Sequence, residues 1–115
     1  MANARIILAE YADEQDGCYE HPDFVKMAAR TAFKGVLIAV RALFELKSRE
    51  KRNIWWYEEH LELLDKSVSV SFETTRLLLY DAMGRRGITS VEIASLAFQN
   101  ADEVVQWVEN HTADC

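Results

Sequence analysis

The sequence predicts an all-α fold, an up-and-down bundle of four to five helices, and three observations carry that reading. Apolar residues recur at spacings of three and four through most of the chain, the signature of helices with one buried face. One proline and four glycines leave few places where a helix must stop, so the helices are long. With 115 residues, half of them hydrophobic, the chain is long enough to bury one core and too short for two ordinary domains, which predicts a single domain over residues 1–115.

The first helix is expected over residues 3–15, where Ala4, Ile7, Leu8, Tyr11 and Ala12 form one stripe and Arg5, Glu10, Asp13 and Glu14 face water. Residues 15–21, containing Asp16-Gly17, read as its terminator and a turn. Pro22 suits the first turn of the second helix, where its missing N–H is not needed, and Asp23 complements the positive helix end. From Asp23 to about Lys47 the apolar positions wrap most of the circumference, as in a central helix covered on several sides. Its polar residues Lys26, Arg30, Lys34, Arg41 and Glu45 fall on a narrow line; the basic ones could track a phosphate backbone, but read better as a solvated stripe or as partners of Glu10, Asp13 and Glu14 in the first helix. Ala28, Ala29, Ala32, Gly35 and Ala39 would admit a close neighbour, and such packing would offset the roughly 1 kcal/mol that a mid-helix glycine costs.

The run SREKRN, residues 48–53, is a charged connection, and Asn53 is placed to cap the third helix. Ile54, Tyr57, Leu61, Leu64, Val68 and Phe72 continue the helical pattern toward the core. KSVSVSFE, residues 66–73, is poor in helix formers and alternates like a strand, which predicts a break or kink at residues 67–71. A fourth helix then runs through Thr74, Leu78, Leu79 and Met83 to a left-handed C-cap at Gly84. Thr89 and Glu92 have capping-box spacing. The last helix is expected from Ser90 to about His111, with Val91, Ala94, Ala97, Phe98, Ala101, Val104, Val105 and Val108 on its apolar face.

The net charge of −6, from 19 acidic and 13 basic residues, repels phosphate backbones and argues against nucleic acid as a partner. No apolar stretch is long and uncharged enough to span a membrane, and the acids that follow the short apolar run at residues 6–9 lead to the expectation of no signal peptide. Cys18 and Cys115 have neither metal-ligand spacing nor the density of a disulfide scaffold, which fits free thiols in a reducing cytoplasm.

Chemistry-bearing residues concentrate in KRNIWWYEEHLELLD, residues 51–65. A polar cluster of Arg52, Tyr57 and His60 is one candidate, since a base and a cation near a phosphate are what ribose-directed hydrolysis requires. Arg52 and His60 stand eight positions apart, roughly 12 Å along a helix axis at 1.5 Å per residue. A lone histidine without a positioned partner lacks the geometry of a general base, so His60 is expected at the edge of the apolar face, packed on indole. Adjacent tryptophans cannot both face inward, so Trp55, Trp56 and His60 are the expected interface. Glu58, Glu59, Glu62 and Asp65 lack the Glu-x-x-His pattern of di-metal bundles, and Glu58 and Glu62 read as surface residues. No catalytic residue, metal site or cofactor is expected from these motifs.

Across nearly its whole length the chain resembles a small uncharacterised family of Bacteroidales proteins. The likeness is carried by DFVKMAARTAFKGVLIAVRAL in the second helix, WYEEHLELLDK in the third and NADEVVQWVE near the end. That resemblance implies a helical bundle of unknown function and transfers no catalytic residue. More loosely, AARTAFKGVLIAVRALFELK and ADEVVQWVEN resemble the second and last helices of HEPN domains, many of which are ribonucleases or partners of nucleotidyltransferases. The HEPN motif places four to six residues between an arginine and a histidine; here seven separate Arg52 from His60, and Tyr57 holds the slot five after Arg52. The expectation is therefore a cytoplasmic, non-enzymatic interaction or ligand-binding module that forms a homodimer, with an unknown protein as a further candidate partner. A HEPN-like RNA-directed protein, either a degenerate ribonuclease or a nucleotidyltransferase partner, is the alternative.

Overall fold

The structure is a computed structural model that describes residues 2–44 and 52–112. It is an all-α bundle with one small hairpin. The helices are α1 (Ala2–Glu10), α2 (Pro22–Leu43), α3 (Ile54–Leu64), α4 (Lys66–Thr75), which runs on as a π-helical segment (Arg76–Met83), and α5 (Val91–Thr112). The expected end of the second helix near Lys47, with Glu45, residues 48–51 of the charged connection and Cys115, lies outside the described residues.

Helix α1 ends earlier than its stripe suggests. Ala4, Leu8 and Ala12 are buried as expected, but Tyr11 is exposed and stacks on Phe24, with ring centroids 5.4 Å apart. The segment expected to continue the helix forms β1 (Glu14–Gln15), paired antiparallel with β2 (Cys18–Tyr19). The two residues between them, Asp16 (φ 54°) and Gly17 (φ 80°), both have positive φ. That is the requirement of the tightest hairpin turn, and Asp-Gly is among its strongest sequence signals. The hairpin is anchored to the start of α5: Tyr19 N–H donates to Thr89 O at 2.8 Å, and Val91 N–H donates to Gly17 O at 3.0 Å.

Helix α2 starts at Pro22 and buries Val25, Ala28, Ala29, Ala32, Phe33, Val36 and Val40. It packs on α1, α5 and the π-helical segment. The small residues pay off at the alanines, whereas a Cβ on Gly35 would meet nothing within 4 Å, so no close approach requires that glycine. Of the basic line, Arg30 donates to the Gly84 carbonyl at 3.2 Å. Among the acids of the first segment, Asp13 pairs with His21.

Helix α3 is capped as expected, with Asn53 Oδ1 accepting from Trp56 N–H at 2.9 Å. The chain breaks at Asp65 (φ −162°, ψ 112°), not at residues 67–71, which are helical. There α4 folds back on α3, since Ser69 Oγ donates to the Glu58 carbonyl at 3.1 Å. This reversal turns Leu64 to solvent, against the expectation of a core position, and leaves it exposed beside Leu63. Burial of Val68, Phe72 and Thr75 makes a helix of a segment whose residue types favour none, with tertiary packing overriding propensity.

Gly84 is not the left-handed cap expected of it. Its φ is −72°, and its N–H donates to Leu79 O at 2.8 Å, closing the π-helical turn; the positive φ falls at Gly87 (67°). Helix α5 is capped by Ser90, whose Oγ accepts from Ile93 N–H at 3.2 Å, one residue beyond the expected Thr89 box. The Thr89 carbonyl is used instead by the hairpin. Ala94, Ala97, Phe98, Ala101, Val104 and Val108 are buried as the spacing predicts.

Candidate functional site

The fold-back of α4 on α3 brings the π-helical segment that follows it against the residues that the sequence singles out. Trp55, second in α3, is 56% exposed, the larger part of its side chain standing in solvent. It is nevertheless held in place. The Arg76 guanidinium lies over its ring, 4.3 Å from the centroid, and Arg76 Nε donates to Glu58 Oε1 at 2.5 Å. Arg76 and Glu58 are largely buried, with side chains 14% and 16% exposed, so Glu58 is no surface residue as its spacing to Glu62 suggested. A largely buried pair with a stacked guanidinium fixes the indole at little further entropic cost.

Beside it, Arg52, Asn53, Ile54, Arg76 and Tyr80 complete a shallow concavity of about 400 Å³ around Trp55. Arg76 and Tyr80 come from the π-helical segment. Wider π turns re-aim side chains relative to an α-helix, and such segments recur at functional positions. Tyr80 rests on Phe33 at 5.6 Å, which joins the exposed patch to the core.

Trp56 takes the inward place. Its indole packs edge-on to Phe44 at 5.3 Å and Tyr57 at 5.3 Å. His60 stacks on it at 3.8 Å, and the Arg52 guanidinium lies 5.2 Å from its centroid. Arg52, just before α3, and His60 within it thus have the Trp56 indole as their common contact, while Tyr57 is buried in the core. His60 Nδ1 lies 2.8 Å from the Trp56 carbonyl. A carbonyl only accepts, so Nδ1 carries the proton and Nε2 is the free ring atom. The same arrangement recurs in α5, where His111 stacks on Trp107 at 3.8 Å with Nδ1 2.9 Å from the Trp107 carbonyl.

A second concavity was not foreseen. Between α1, the hairpin and α5 lies a hollow of about 600 Å³, lined by Leu8, Ala94 and Phe98 below and by Arg5, Glu14, Tyr19, Gln99 and Asp102 at its rim. Arg5, expected to face water, donates to Asp102 Oδ2 at 2.5 Å and lies over the Phe98 ring at 5.2 Å. Burial, with the Glu14 carboxylate adding to it, pushes the Tyr19 phenol above its ordinary value. The hollow depends on contacts between chain ends 97 positions apart, for which local spacing carries no signal. Only the Asp16-Gly17 hairpin signal could have pointed to the element that closes it.

Among the described residues, no helix is long and apolar enough to cross a membrane. No curated protein matches the chain. A protein of unknown function from Dyadobacter fermentans has a similar structure, with a TM-score of 0.89 and 32% sequence identity, over 96% of this chain and 88% of that one. The family model for the domain of unknown function DUF5618 matches residues 1–110, and the chain belongs to that family.

Proposed function

We propose that this chain is a non-enzymatic interaction module, acting as one domain in the cytoplasm, that pairs with a second copy of itself through the face built around Trp55. The observation that carries the reading is the pinned, exposed indole: Arg76 covers one part of the ring, Glu58 holds Arg76, and the rest of the ring is open to solvent. Large aromatics already ordered in the free protein are what interface hot spots use, because little side-chain entropy remains to be lost on binding. Arg52 links this face to the neighbouring Trp56–His60 stack, and Tyr80 extends it. Sedimentation or light scattering at micromolar concentration tests this. A dimer is expected for the native chain, weakened at least tenfold by Trp55→Ala. A monomer throughout that range, with Trp55 fully open to acrylamide quenching, overturns it.

One observation favours the second reading, an RNA-directed HEPN-like protein. Arg52 and His60 both contact the Trp56 ring, and the His60 contact to the Trp56 carbonyl uses Nδ1 and not Nε2. The indole between them and the burial of Tyr57 weigh against a shared reacting atom, as does the net charge of −6. Cleavage of single-stranded RNA that disappears in His60→Ala, with the fold intact, would place this reading first.

A further inference from the structure

We propose that Asp13, Glu20 and His21 form a binding site for a divalent transition-metal ion of the zinc class, clipping the end of α1 to the start of α2. The Asp13 and Glu20 carboxylates and the His21 ring each offer a ligand atom, and these atoms lie within 4.8 Å of one another. His21 Nε2 and Asp13 Oδ2 are 3.1 Å apart. Ligands about 2.1 Å from a zinc ion stand about 3.0–3.5 Å from each other, so this pair already has the edge length of a coordination polyhedron. Glu20 closes the third position by a side-chain movement of about 1 Å, well within the reach of its two outer torsions.

The three residues come from both sides of the hairpin, and the backbone fixes them. Glu20 N–H and His21 N–H both lie against Ala12 O, at 3.0 and 3.2 Å, and Glu20 N–H also approaches Asp13 O at 2.8 Å. Asp13 itself holds a φ of 53°, a left-handed conformation in which aspartate is enriched.

The donor set selects the ion. Imidazole nitrogen favours zinc and its neighbours over magnesium or calcium, and two carboxylates complete a three-ligand site that leaves a position for water. The surrounding charge has the same sign requirement. Residues 10–23 carry six carboxylates, Glu10, Asp13, Glu14, Asp16, Glu20 and Asp23, with His21 as the one basic side chain. The Asp13–His21 pair leaves the Glu20 carboxylate without a cationic partner among the described residues. A divalent cation neutralises both acids together.

Zinc titration of the full chain tests the site by calorimetry, thermal unfolding and the ring-proton signals of His21. The expected result is one zinc per chain, a rise in Tm of about 5–7 °C at tenfold excess over Kd, and selective shifts of the His21 ring signals. Affinity should fall at least tenfold in His21→Ala, Asp13→Asn and Glu20→Gln, and hold in His60→Ala and Cys18→Ser. All three ligands are exposed, so these variants leave the core untouched. Zinc binding that survives His21→Ala but is lost in Cys18→Ser overturns the assignment, as does the absence of any Tm or His21 response at a large molar excess of zinc. The Asp13–His21 contact is then a side-chain hydrogen bond only.

Discussion

The carboxylate of Asp65 binds Trp107 across the bundle: its Oδ2 accepts the indole N–H at 3.2 Å, while its Oδ1 accepts from the backbone N–H of Ser67 at 2.8 Å and of Val68 at 3.4 Å. One side chain thus ends α3, caps α4 and ties both to α5. Removing a helix cap costs about 1 kcal/mol, and losing a half-buried hydrogen bond to a charged group costs about 1.5 kcal/mol more. Asp65→Ala is therefore expected to destabilise by about 2–3 kcal/mol in urea unfolding, and Trp107→Phe by about 1 kcal/mol. Because the two residues share a bond, the double variant should lose less than the sum. Strict additivity would show that the bond contributes nothing.

Two glycines in helical conformation should respond in opposite directions to the same methyl group. At Gly35 the added Cβ meets nothing, and alanine reduces the entropy lost on folding, so Gly35→Ala should stabilise by about 0.5–1 kcal/mol. At Gly84 the Cβ would stand 2.5 Å from Leu79 O and 2.8 Å from Tyr80 O, both backbone atoms that the π-helical turn fixes. Gly84→Ala should destabilise by about 3 kcal/mol. Thermal unfolding of the two variants side by side checks the sign of each.

These glycines also mark where the sequence was legible. Features decided within one or two turns read directly: Pro22 opening α2, Asn53 capping α3, and the buried alternation of Ala94, Ala97, Phe98, Ala101, Val104 and Val108. Features decided by a distant neighbour did not. Ser67 to Ser71 are helical because Val68 and Phe72 find a core and Ser69 finds the Glu58 carbonyl, neither of which local composition encodes. Leu64 is exposed because the chain reverses at the next residue. At the candidate site, the exposed indole followed from two adjacent tryptophans that cannot both turn inward. Its fixing by Arg76, 21 positions later, required the fold-back of α4.

The Glu58–Arg76 and Arg5–Asp102 pairs have the same donor–acceptor separation, 2.5 Å, but different surroundings. Glu58 and Arg76 are mostly withdrawn from water, so Glu58→Ala leaves a guanidinium partly buried without its counter-charge and should cost about 2–3 kcal/mol, with weak dependence on salt. Arg5 and Asp102 are half-exposed and screened, so Asp102→Asn should cost less than about 1 kcal/mol, an effect that fades in 1 M salt. Urea unfolding at low and high ionic strength separates the two. Loss of the Glu58 partner should also free Trp55, read as a red-shifted, more quenchable fluorescence.

The Tyr19 phenol supplies a pH dependence whose sign is fixed by its environment. Burial, and secondarily the Glu14 carboxylate, raise its pKa above that of an unfolded tyrosine. The folded state therefore holds this proton more tightly than the unfolded chain. The associated stability is fully present below about pH 10, the unfolded value, and is lost as pH climbs through the higher folded value. Tyr19→Phe cannot titrate at this position, so the stability difference between the native chain and this variant should be flat up to about pH 10 and shift against the native chain above it. Glu14→Gln should shrink the effect without abolishing it, because burial is the larger cause. Urea unfolding of the three proteins between pH 8 and 11.5, a window chosen to bracket the roughly 10 of an ordinary tyrosine, measures this directly; a difference that stays constant across the window would mean that Tyr19 ionises as freely in the folded chain as in the unfolded one.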